Sequence, residues 1–354
     1  LTSASTITGG RGGSYTLSGL ISGAGGLTFA PDAGTTISLT GAAKTYTSLT
    51  EVNSGTLVLN ATGTVIGNNS GQAPVGATAS SGYIVNNGGT LQIAAGSFWQ
   101  VAQNQPITIN GGTLSGAGSG NYFNNITMNG GTIVSTGDAF RVGFFTAGGN
   151  WTLSGVNSIG TVNLVKGGAT SHTFNVASEA TTVSSIVDLA TFQGLNVVKG
   201  GAGALIVNGT STYTGTTTIS AGVLQVGNGG ATGALNSGAI TNNASLTFNL
   251  SSAITHSAAI SGTGSVTKSG AGSVTLSAAN TYSGGTTVSA GNLMASNASA
   301  FGTGTVTLMD SQSGSNSVSL LATTNNITIA NAIVVANQGV LTPTIGPENV
   351  ASSN

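Results

Sequence analysis

Residues 199–224 read KGGAGALIVNGTSTYTGTTTISAGVL, and residues 268–293 read KSGAGSVTLSAANTYSGGTTVSAGNL. Aligned without gaps at an offset of 69, they match at 13 of 26 positions, and three of the others exchange Val, Ile and Leu. Each copy opens with a lysine and a Gly-Ala-Gly turn. A short apolar run follows, Leu205-Ile206-Val207 in one and the alternation Val274-Thr275-Leu276 in the other. Then come a polar loop around a tyrosine, a second short run and Ala-Gly-x-Leu. Glycine supplies the positive φ that turns need, and β-branched residues favour the extended chain between them.

The pattern extends outward from these copies. A looser third copy surrounds Tyr46: Gly lies nine residues and Leu eleven residues after the tyrosine in Tyr46/Gly55/Leu57, Tyr213/Gly222/Leu224 and Tyr282/Gly291/Leu293. A shorter signal, Asn-Gly-Gly-Thr followed by Leu or Ile, recurs at Asn87, Asn110 and Asn129, in steps of 23 and 19, with Asn53-Ser54-Gly55-Thr56-Leu57 as a relative. Repeats of about 20 residues built from short strands and turns are the mark of a solenoid. Its coils pair backbone groups about 4.8 Å apart and turn alternate side chains into a narrow core.

The sequence therefore predicts an all-β chain: a right-handed, single-stranded parallel β-helix (β-solenoid) over 1–340, roughly 16 coils at about 22 residues each. An irregular tail or linker is expected at 341–354, where Pro343 and Pro347 interrupt the pattern. Leu205, Val207, Ile219, Leu224, Val274, Leu276, Val288 and Leu293 are expected in the core. Tyr213 and Tyr282 are expected at equivalent corners about three coils apart.

Composition supports this architecture and removes others. Glycine supplies 58 of 354 residues, over twice the usual share. Charged residues are 4%, against about 25% in ordinary soluble domains. No apolar run approaches the ~18 residues of a membrane-spanning helix. Hydrophobic residues at 39% and a net charge of −1 do not fit a disordered chain. Six Lys and Arg give no electrostatic basis for nucleic-acid binding. The absence of cysteine excludes disulfides, thiolate metal sites and a cysteine nucleophile.

The segment 268–293 closely resembles the passenger-associated repeat of bacterial autotransporters: a lysine, a Gly-Ala-Gly turn, a strand, the Asn280-Thr281-Tyr282-Ser283-Gly284-Gly285-Thr286-Thr287 loop, a strand and Ala-Gly-x-Leu. The resemblance implies a right-handed parallel β-helix exported to the extracellular space or the bacterial cell surface. A signal peptide and a membrane β-barrel, the other parts of such proteins, are not evident in this chain. Passengers of this type include adhesins, aggregation factors, toxins and enzymes.

Chemistry-bearing residues are sparse. The acids are Asp32, Glu51, Asp138, Glu179, Asp188, Asp310 and Glu348, and the histidines are His172 and His256. A glycan-cleaving site needs two carboxylates, or a carboxylate with a base, on one face of neighbouring coils. Asp138 with Arg141 is the best local pair and reads as a salt bridge or turn contact in a loop. His172 near Glu179 reads as a solvated or core-edge histidine. Catalytic, cofactor-binding and metal residues are expected to be none. Lys199 and Lys268 are expected to mark one surface strip, their stems along the coil and their heads in water. With Tyr213, Gly222, Tyr282 and Gly291 they form the repeat signature. The aromatics Trp99, Tyr122, Phe144 and Trp151 belong to a cluster that reads either as a glycan-stacking platform or as core.

Function is expected to be structural or adhesive rather than enzymatic. A neutral Thr, Ser and Asn surface suits self-association, either cell-to-cell aggregation or end-to-end filaments, since open strand edges template further strands. Surface glycans are a second class of partner to consider. The alternative is a polysaccharide-modifying enzyme or glycan-binding module on the same fold, which the placement of the acids would reveal.

Overall fold

The computed structural model describes the chain except residues 42–43, 61–80, 95–104, 117–121, 136–139, 143–148, 165–169, 189–193, 236–237 and 348–354. Residues 105, 122–124, 140–142 and 163–164 are described by backbone alone. Among the described residues there is no helix, and every pairing between strands is parallel. Their architecture is parallel β-solenoid, with about twelve turns in all. Equal spacing gives the higher expectation of sixteen. Turns in fact take up unequal lengths of chain: the stretch from Thr56 to its partner Thr90 is half as long again as that from Thr90 to its partner Thr113.

The chain forms two compact units, Leu1–Leu195 and Asn196–Asn354. In the first, Ile7, Phe29, Val52, Val85, Ile109, Met128, Leu153 and Val176 succeed one another on eight rungs of one ladder. All but Ile7 are buried. A second ladder stacks Leu57, Leu91, Leu114, Ile133 and Ile159. The Asn-Gly-Gly-Thr signal sets this register, since Thr90, Thr113 and Thr132 are direct partners. The residues just before these leucines and isoleucines point outward. There Ser14, Thr36, Thr56, Thr90, Thr113, Thr132, Ser158 and Thr182 occupy eight successive rungs.

The second unit carries three ladders. One runs Val197, Thr217, Ile240, Ile260. The next runs Leu205, Leu224, Leu246, Val266, Thr286, Val306, Ile333. The third runs Ile254, Val274, Leu293, Leu320, Ile345. All eight residues expected in the core are buried. Alternation does this: strands such as Ala204–Val207 and Ser273–Leu276 bury every second residue. The segment expected to be irregular contains the strand Thr344–Pro347, which pairs in register with Ser319–Ala322. Pro347 stands at the end of this strand, on the last rung described, the kind of edge position to which proline is confined in sheets.

Candidate functional site

The repeat signature is built inside the coil. Lys199 and Lys268 are fully buried, and Lys44, preceding Tyr46, nearly so. The expectation of a surface strip is thus overturned. A buried ammonium needs partners for its three N–H bonds, and the Gly-rich turn provides them. Lys199 Nζ donates to the carbonyls of Gly200 at 2.7 Å, Gly201 at 2.9 Å and, one coil on, Ala221 at 3.0 Å. Lys268 Nζ donates to Gly270 O and to Ala290 O, the latter at 3.0 Å. Lys44 Nζ reaches Gly19 O at 2.7 Å and Thr40 O at 2.9 Å. Each lysine therefore clasps two coils together through backbone oxygens. Burial pulls the ammonium groups of Lys199 and Lys268 down to about 8 and that of Lys44 down in the same direction.

The tyrosine is equally internal. In all three copies its hydroxyl bonds the threonine four residues on: Tyr46 to Thr50 at 2.6 Å, Tyr213 to Thr217, and Tyr282 to Thr286 at 2.6 Å. All three rings are buried, and burial raises their hydroxyls to about 12, against a smaller opposing pull from the threonine bond. Nine residues on, Gly55, Gly222 and Gly291 adopt φ of 64°, 65° and 69°. A Cβ at Gly222 would lie 2.4 Å from Gly203 O, and one at Gly291 would lie 2.4 Å from Gly272 O. Only glycine lets the coils approach there. Two residues further, Leu57, Leu224 and Leu293 fill the core.

The two strong copies do not face the same way. Lys199 is in register with Ile219 on the first ladder, whereas Lys268 is in register with Phe248 and Val288 on the second. Thr217, which holds Tyr213, is on the first ladder, and Thr286, which holds Tyr282, is on the second. Three rungs of the first ladder take Val197 to Ile260, and Val266, the repeat's counterpart of Val197, lies beyond them on the next face. The period is three turns and one face, so the expectation of equivalent corners is corrected. The clasp and the Tyr–Thr bond are closed within a few residues and the adjoining coil, so the motif is satisfied on either face.

The remaining candidates are dispersed. Glu51 accepts from Asn86 Nδ2 at 2.8 Å. Asp310 accepts from Ser289 and Ser313, each at 3.0 Å, and organises a turn. His172 is buried while Glu179 is exposed. His256 is buried against Phe248, ring centroids 5.4 Å apart, and its Nε2 has no hydrogen-bond partner. Burial depresses it to about 4. Among the described residues no three His, Asp or Glu gather as a metal site. Asp138, Glu348, Trp99 and Phe144 lie outside the described residues, and the side chains of Arg141 and Tyr122 are not described. Trp151 is core: it stacks on Phe174 at 5.1 Å and 18°, in the column below which Ile126 sits.

Sequence reasoning missed one feature. Asn53, Asn86, Asn110 and Asn129 form a ladder of side-chain amides, with bonds of 2.6, 3.0 and 2.7 Å, ended by Ser154 at 2.6 Å. Aligning the Asn-Gly-Gly signals puts Asn87 in this column. The corner from Asn86 to Thr90 is one residue longer than that from Asn110 to Thr113, so Asn86 takes the place.

The family model described as Passenger-associated-transport-repeat matches residues 197–226 and 266–295. The chain carries passenger-associated transport repeats of the autotransporter-passenger type. It is also similar to the Adhesin BmaC autotransporter of Brucella suis biovar 1 (strain 1330), 37% identical over 84 residues, which is 24% of this chain and 2% of that protein. The match thus spans a small part of a much longer relative. No solved structure matches. Both matched repeats begin just before a lysine clasp and end just beyond the buried leucine at Leu224 or Leu293, so the repeat coincides with one self-contained packing unit.

Proposed function

We propose that this passenger-type chain is an extracellular, adhesive component of a bacterial surface that works by association, including with copies of itself, and not by catalysis. We take its winding to be right-handed, the hand that parallel crossovers favour. One observation carries the functional reading: the repeat's conspicuous lysines and tyrosines are spent inside the coil, which leaves neutral columns of Ser, Thr and Asn facing out. Such groups donate and accept hydrogen bonds without charge repulsion between like surfaces. Similarity to an adhesin passenger points the same way.

Each hydrogen bond contributes only about 0.5–1.5 kcal/mol, so useful attachment needs a long face and many copies. Neutral contacts also respond little to screening. Cells or beads displaying the chain should therefore clump, equally at low salt and at about 1 M, where the Debye length is ~3 Å. Dispersed particles at every salt concentration would defeat the self-association reading. Turnover of a polysaccharide by the purified chain would defeat the non-catalytic one. End-to-end growth is separated from side-by-side clumping by electron microscopy, which shows filaments in the first case only.

A further inference from the structure

The outward column from Ser14 to Thr182 is hydroxyl on every one of its eight rungs. Strand propensity explains Thr in such places but does not favour Ser over Val, Ile or Tyr, and two rungs carry Ser. The neighbouring outward column, Thr16, Ser38, Val58, Gln92, Ser115 and Val134, is mixed but also uncharged. Every member of the hydroxyl column is half-buried or exposed.

Resting on the self-association reading, we infer that this column is the self-docking strip of the first unit and that its partner is the same strip on a second copy. Rungs repeat every ~4.8 Å, and a polymer of different repeat falls out of step along the strip. A second copy has the same step throughout. A hydroxyl is both donor and acceptor, so like meets like without a complementary surface. The strip is small: about 35 Å long and, with its neighbouring column, on the order of 10 Å wide. That is less than half of the ~800 Å² per partner that a stable interface buries. Free chains therefore stay monomeric, and only arrays of chains on opposed surfaces hold together.

The test uses the full chain both free and attached to beads. Sedimentation of the free chain should show a monomer at micromolar concentration, and the beads should cluster. The triple variant Thr56→Lys, Thr90→Lys, Thr113→Lys should lose clustering at low salt, while Thr127→Lys with Thr152→Lys, outward on the other ladder, should keep it. Because added lysines could disturb the sheet, Thr56→Val, Thr90→Val, Thr113→Val is the second variant: it keeps strand shape and should also stop clustering with unchanged melting. Clustering that survives both triple variants, or is lost equally in the control pair, overturns the strip while self-association stands. A stable dimer of free chains overturns the array requirement. Wild-type beads that stay dispersed remove the self-association premise itself.

Discussion

Lys199 and Lys268 hold the same place in the passenger repeat, yet one pairs with Ile219 on the first ladder and the other with Phe248 on the second. A motif indifferent to its face should be transferable. Replacing residues 199–224 by the sequence of 268–293 exchanges Leu205 for Val, Val207 for Leu and Ile219 for Val, each costing under about 1.5 kcal/mol if volume is kept. The chimera should fold and resist protease like the parent, measured by thermal melting and limited proteolysis. Collapse of the chimera, with each single core exchange tolerated, would show that the motif reads its face after all.

The clasp itself should be strongly stabilising. Lys199→Met keeps the stem but leaves the carbonyls of Gly200, Gly201 and Ala221 without their donor. Bonds to a charged donor are each worth about 1.5–3 kcal/mol, and orphaned buried acceptors add their own penalty. Urea titration should show a loss of about 2 kcal/mol or more. A surface lysine would cost nearly nothing, so the measurement separates the two placements cleanly.

The solenoid was legible in sequence because turns and alternation are local: Gly55, Gly222 and Gly291 announce the left-handed corner, and Val274-Thr275-Leu276 announces its buried face. The lysines were not legible, because burial of an ammonium depends on carbonyls that only the folded turn presents, such as Ala221 O one coil away. The rotation by one face was hidden for a different reason. The offset between Lys199 and Lys268 fits three turns as well as three turns and one face until the length of a turn is known. Asn86 was missed because a one-residue change at a corner moves a column without changing the motif.

Gly222→Ala and Gly291→Ala should each destabilise by more than the ordinary strain of a positive φ, about 1 kcal/mol. The added Cβ also meets a backbone carbonyl at 2.4 Å in both, and backbone cannot step aside. The costs should be alike in the two variants despite their different faces. An Ala variant that melts with the parent would mean that the corner relaxes and that the glycine is not required.

Stability should fall on both sides of about pH 10, for opposite reasons. His256 is depressed from 6.5 to about 4 by burial, so between those values the unfolded chain binds the proton that the folded chain refuses. Folding stability is then lost as pH falls from about 6.5 toward 4, and His256→Leu should flatten that limb. Lys199 and Lys268, lowered from 10.5 to about 8, act with the same sign higher up: stability rises as pH climbs from about 8 toward 10.5. The tyrosines oppose them. Tyr46, Tyr213 and Tyr282 are raised from 10 to about 12, so stability is full below 10 and is lost as pH rises through about 12. Urea midpoints measured from pH 4 to 12 should therefore climb between 4 and 6.5, rise again above 8 and drop steeply past 10. Tyr213→Phe with Tyr282→Phe should weaken the final drop, and a curve that is flat above pH 10 would place those hydroxyls in water.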